Sequence, residues 1–133
     1  MRKMLIVDDE SEICEFLKLF FEERNFDVNT AYSGEEALES AKKFKPDVIL
    51  LDIHMPGMDG ITVLKHIKEA DSKVKVIMVT ALETREKIEA AMRLGADNYI
   101  TKPLSLEYLE RDVQEKVEQL ARSRDPGLDR MKL

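Results

Sequence analysis

Val48-Ile49-Leu50-Leu51-Asp52-Ile53-His54-Met55-Pro56-Gly57-Met58-Asp59-Gly60 reads in order as a strand, a turn and a helix start. Four consecutive apolar side chains leave no polar face, so this strand is one covered on both sides, as in a parallel sheet flanked by helices. It ends on a carboxylate. Pro56 and Gly57 then fix a turn that leaves Asp52 projecting from the strand end, and Asp59-Gly60 opens the next helix.

Outward from this stretch, short apolar runs recur at Met4 to Val7, Val28 to Tyr32, Val74 to Val79 and Tyr99 to Ile100, separated by segments of helical period. The alternation predicts five βα units and a doubly wound α/β fold, a five-stranded parallel sheet in the order 2-1-3-4-5 with helices on both faces. Asp27-Val28-Asn29-Thr30 is the more polar run and suits an edge. In the first helix Ile13, Phe16, Leu17 and Phe20 form the inward face, with Ser11 as N-cap and Asn25 as stop. The second opens with a capping box, Ser33 to Glu36, carries Ala37, Leu38 and Ala41, and ends before Pro46. The third starts near Asp59-Gly60 with Ile61, Leu64 and Ile67 inward. The fourth runs from about Thr84 to Leu94, with Gly95 as stop; its inward Ile88, Ala91 and Met92 bury little area, which makes it the most easily displaced. The fifth starts at Ser105 and carries a stripe of Leu106, Leu109, Val113, Val117 and Leu120.

The 133-residue length suits one core, with 44% apolar and 36% charged residues. A net charge of -6 argues against direct nucleic-acid binding by this domain. Cys14 is alone, which excludes an internal disulfide and favours a reducing compartment, and its place on the first helix points to packing. No apolar stretch approaches the roughly 20 residues of a membrane span, and no signal-peptide core follows Met1-Arg2-Lys3, so the chain reads as cytoplasmic. Residues 1–120 read as the domain. From Ala121 the apolar pattern fades, and 121–133, with four Lys/Arg against two Asp, reads as a tail or the start of a linker.

Asp8-Asp9, Asp52, Thr80 and Lys102 each follow an apolar run, and in a parallel sheet all four run ends share one edge, where open α/β sheets bind ligands. Carboxylates crowded there repel unless a hard divalent cation joins them. Such a cation with a nearby ammonium is what a transferred phosphoryl group requires. Asp52 is the nucleophile of choice because of its projecting turn, with Asp8 and Asp9 left to hold Mg²⁺. Thr80 and Tyr99 would mean little alone. With His66 as the only other histidine and no metal-ligand spacing, the His54 side chain reads as a variable loop residue rather than a zinc ligand.

Val7-Asp8-Asp9-Glu10, the run Asp52 to Gly60, Thr80-Ala81 and Gly95-Ala96-Asp97-Asn98-Tyr99-Ile100-Thr101-Lys102-Pro103 together resemble the receiver domains of two-component response regulators, over about residues 3 to 120. The resemblance implies a flavodoxin-like fold and an Asp52 that accepts phosphate from a histidine kinase. It implies Mg²⁺ held by Asp9 and Asp52 directly, by Asp8 through water and by the His54 backbone carbonyl. Lys102 would pair with Asp52 and then with the phosphoryl group, Thr80 would donate its hydroxyl to it, and Tyr99 would turn inward as a switch. Those movements would alter the face of the fourth helix, fifth strand and fifth helix, and with it affinity for a partner or a second copy. Lys102-Pro103 would be cis. His54 and Leu82 occupy positions that vary in the family and would screen the attacking water. A domain of this kind is a regulatory phosphoacceptor that assists its own phosphorylation and dephosphorylation. The alternative is a Mg²⁺-dependent phosphatase with an aspartate nucleophile; such enzymes carry Asp-x-Asp after the first strand, where this chain has adjacent Asp8-Asp9.

Overall fold

The computed structural model describes residues 1–81 and 85–123. Five parallel strands, β1 (Arg2–Val7), β2 (Phe26–Ala31), β3 (Val48–Asp52), β4 (Lys75–Thr80) and β5 (Asn98–Thr101), lie in the order β2-β1-β3-β4-β5. The expected order is the observed one, with the more polar β2 at an edge. The helices are α1 (Ser11–Glu22), α2 (Gly34–Phe44), α3 (Gly60–Ala70), α4 (Arg85–Arg93) and α5, in which Leu106–Tyr108 continues through a π-helical turn at Leu109–Val113 into Gln114–Ser123.

Alternation along the strands sorts the apolar residues into two cores. Met4, Ile6, Val48, Leu50, Ile77 and Val79 meet α1 and α5, while Leu5, Val7, Ile49, Leu51, Val76 and Met78 meet α2, α3 and Ala91 of α4. Both faces are therefore dry. Leu109, Val113, Val117 and Ala121 of α5 are all buried at strict four-residue spacing, which overruns the 3.6-residue α period. The underwound π turn at the head of the series keeps them on one face.

Local signals held in part. Ser33, Asp59 and Ser105 each cap a helix by accepting an N–H, from Glu36 at 3.2 Å, Thr62 at 2.9 Å and Tyr108 at 3.1 Å. The return half of the capping box differs, since Glu36 accepts from the Tyr32 N–H at 3.0 Å and from the Ser33 hydroxyl at 3.5 Å rather than from the Ser33 N–H. Asn25 is left-handed past the end of α1, as is Gly95 past α4. Ser11 is not the cap of α1: Glu10 holds that position, without a side-chain bond.

The inward face of α1 is Cys14, Leu17, Phe20 and Phe21, whereas Phe16 is 42% exposed. On α4 Ala91 is buried but Met92 is 41% exposed, and Leu106 projects from the start of α5. Ile61 is half-buried. The last helix continues to Ser123, three residues past 120, and buries Ala121; 124–133 lie outside the described residues.

Candidate metal and phosphoryl site

Asp8 follows β1, Asp52 ends β3, Thr80 ends β4 and Lys102 follows β5, so the topology alone gathers them at one sheet edge. Register refines this. Asp52 pairs with Val79, and Thr80 with Thr101, which puts Thr80 one residue beyond the level of Asp52 on the neighbouring strand.

The turn after Asp52 is held by backbone bonds from Ile53 N–H to the Val79 carbonyl at 3.1 Å and from Gly60 N–H to the Ile53 carbonyl at 2.9 Å. Any β-carbon on Gly60 would lie 2.1 Å from the Asp52 carbonyl oxygen, so α3 can begin this close to the site only with glycine there. Gly57, at φ +77°, supplies the left-handed residue of the same turn. The His54 N–H donates to Asp52 Oδ1 at 3.0 Å and the Glu10 N–H to Asp8 Oδ1 at 2.9 Å, which fixes both carboxylates in orientation.

Asp8 and Asp52 are 2% and 4% exposed, and Asp9 is exposed beside them. Ligand oxygens of the three lie within 4.8 Å of one another. Among the described residues, one ammonium serves this group. Lys102 Nζ sits 2.9 Å from Asp52 Oδ2, 3.1 Å from Asp8 Oδ2 and 3.8 Å from Glu10 Oε1. Burial, together with repulsion from Asp8, holds the Asp52 pKa above the usual carboxylate value even though Lys102 and the His54 N–H oppose it. Burial works against the Lys102 ammonium too, but its bonds to Asp52 and Asp8 outweigh that and raise its pKa. The negative charge thus exceeds what one lysine neutralises, and the surplus, in oxygen donors, fits a hard divalent cation.

Thr80 is buried, its hydroxyl donating to the Ala81 carbonyl at 3.1 Å. Tyr99 is 40% exposed and so stands outward. The Lys102-Pro103 bond is cis, as expected. Leu82 and Thr84 lie outside the described residues. Two features escaped the sequence reading: the Glu10 carboxylate beside Lys102, whose adjacency to Asp8-Asp9 was its only signal, and an apolar groove next to the site, lined by Ile13, Phe16, Ala81, Pro103 and Leu104 with the Lys102 stem. Cys14 backs the cluster, donating to the Asp8 carbonyl at 3.4 Å, and burial pushes its thiol pKa up to about 12.

Residues 4–114 match the family model described as the response regulator receiver domain. The chain belongs to that family. It is therefore a receiver domain of the two-component type, a regulatory phosphoacceptor class. It is 41% identical over 104 residues to the alkaline phosphatase synthesis transcriptional regulatory protein PhoP of Bacillus subtilis, an alignment covering 78% of this chain and 43% of that protein. The receiver thus spans less than half the length of that relative. Among solved structures it resembles the receiver domain of Francisella response regulator 1452, with a TM-score of 0.83, 33% identity, and coverage of 94% of this chain and 100% of the other. It also resembles Thermotoga maritima TrrA, solved in complex with Mg²⁺-BeF, with a TM-score of 0.78, 33% identity, and coverage of 90% and 99%. No helix of the described residues is long and apolar enough to cross a membrane.

Proposed function

We propose that this receiver is a phosphorylation-activated switch in which Asp52 takes a phosphoryl group from a histidine kinase in a Mg²⁺-dependent reaction. The observation that supports this most is the convergence of Asp8, Asp9 and Asp52 oxygens within 4.8 Å, with the Lys102 ammonium 2.9 Å from Asp52. One Asp52 carboxylate oxygen attacks phosphorus, the P–N bond to the donor imidazole breaks, and an acyl phosphate forms. Asp8, Asp9, Asp52 and the His54 carbonyl would hold Mg²⁺, which draws off charge from the phosphoryl oxygens when bound.

The chain's own groups do the rest. Lys102 exchanges its bond to the Asp52 carboxylate for one to a phosphoryl oxygen, and the Thr80 hydroxyl leaves the Ala81 carbonyl for another. Movement at Thr80 opens space for the Tyr99 ring to turn inward from its exposed position. That would alter the face made by α4, β5 and α5 and change affinity for a partner or a second copy.

The test is incubation with Mg²⁺ and a small acyl-phosphate donor, followed by intact mass. Wild type gains one phosphoryl group, and neither Asp52→Asn nor wild type in chelator does. Label persisting on Asp52→Asn would sink the reading.

A further inference from the structure

β5 is the last strand of the sheet, so alternate residues turn their N–H and C=O groups away from β4. The Lys102 N–H donates inward to the Thr80 carbonyl at 2.7 Å, which sets the phase: Tyr99 and Thr101 face outward. Side chains occupy this edge. The Tyr99 N–H donates to Asn98 Oδ1 at 2.8 Å, the Tyr99 carbonyl accepts from Lys116 Nζ at 3.4 Å, and the Thr101 N–H donates to the Tyr108 hydroxyl at 3.2 Å. Two of these partners belong to α5. Tyr108 is itself well anchored, with its own N–H donated to the Ser105 cap at 3.1 Å and its side chain packed on the core between the sheet, α1 and α5.

We propose that Tyr108 is a positioning residue for Lys102. Thr101 immediately precedes the lysine whose ammonium bridges Asp52 and Asp8, and a shift of its backbone passes directly to the root of that side chain. β4 restrains the strand end from inside the sheet through the Thr80 carbonyl, and the Tyr108 hydroxyl restrains it from outside. Held from both sides, Lys102 reaches the acids from a fixed start, which lowers the ordering cost of placing its ammonium. The inference rests on the reading of Asp52 as phosphoacceptor, and one arm of its test is independent of that reading.

Tyr108→Phe keeps the ring and removes the acceptor oxygen. Amide hydrogen exchange of Thr101 is expected to accelerate about ten-fold relative to wild type, since an edge amide loses its one partner. The rate of labelling by an acyl-phosphate donor is expected to fall about five-fold, the equivalent of one net hydrogen bond, while the Mg²⁺ concentration for half-maximal rate stays put because Tyr108 touches none of the acids. Three results overturn the proposal: unchanged Thr101 exchange, faster exchange with an unchanged labelling rate, or a rate loss seen with Tyr108→Leu but not with Tyr108→Phe, which would assign the effect to ring packing. Label on Asp52→Asn would remove the phosphoacceptor reading and leave the exchange result standing on its own.

Discussion

α1 and α4 lie on opposite faces of one sheet and differ sharply in what they bury. α1 places Cys14, Leu17, Phe20 and Phe21 in the core, with Phe21 edge-to-face against Phe20 at 5.0 Å and Phe26 at 5.7 Å between ring centroids. Among the described residues of α4, Ala91 is the one that is fully buried. A phenylalanine buries roughly 150–250 Å² and each Å² contributes about 25 cal/mol, so two rings outweigh one methyl group several-fold. α1 thus clamps one face of the sheet, whereas on the other face α2 and α3 supply most of the cover and α4 is thinly packed. Thr80 ends β4, the strand that precedes this thinly packed helix in the chain, so α4 is the helix proposed to respond when its hydroxyl moves.

Phe21→Ala attacks the clamped side and is expected to have the largest effect. The ring is fully buried between Phe20 of α1 and Phe26 of β2, and its removal deletes both edge-to-face contacts and leaves a cavity between two elements of the core. The loss should be about 3–5 kcal/mol by urea denaturation. It should also expose Cys14, so thiol labelling under native conditions becomes measurable where wild type, its thiol buried and pushed up to about 12, reacts only through unfolding. A loss below about 1 kcal/mol would mean the two sides are equally dispensable.

Much of this contrast was legible in the sequence. The central strands announce themselves as unbroken apolar runs because both faces are covered, and in the order 2-1-3-4-5, which fits the polar second run at an edge, the acids at the run ends meet. Ser33 was readable as a cap, and Asp59 and Ser105 as helix starts, because each side chain bonds an N–H only three residues on. The inward face of α1 was not. Apolar residues at 13, 14, 16, 17, 19, 20 and 21 span more than one helix face, and only the tertiary choice between Phe16 and Phe21 decides which is buried. Met92 failed for a related reason: α4 covers so little that one residue of its stripe stays in solvent. Glu10 beside Lys102 and Tyr108 on the β5 edge depend on contacts across the fold, for which periodicity carries no signal.

Between these extremes lies the acidic edge, where the sign of a pH effect can be worked out. The Asp52 pKa is raised in the fold by burial and by Asp8, so between the ordinary carboxylate value and the raised one the folded chain holds more protons than the unfolded chain. Stability therefore falls as pH rises through that window and stays lower above it. The Lys102 pKa is raised by its pairing, so its contribution is present throughout this range and is lost only at alkaline pH, above the ordinary lysine value. Asp52→Asn should abolish the fall and melt at higher temperature than wild type in chelator at neutral pH. Mg²⁺ at about a hundred times its Kd should stabilise wild type by about 2.7 kcal/mol and the variant by much less. Thermal melts from about pH 4 to about pH 8, with and without Mg²⁺, check both; parallel curves for the two proteins would refute the repulsion argument.

Ile88→Ala probes the thin side and should cost least, under about 1 kcal/mol, because Ile88 is half-buried and loses only part of a side chain's contacts. The informative quantity is where that cost falls. If α4 yields when Thr80 moves, contacts made by Ile88 before phosphorylation are weakened after it, and trimming them penalises the unphosphorylated arrangement alone. Ile88→Ala should then make amide exchange in α4 of the unphosphorylated protein approach that of the phosphorylated wild type, with no change in α1. The same cost spread evenly over both states would leave the two exchange patterns as far apart as before, and α4 would be thinly packed without being the part that moves.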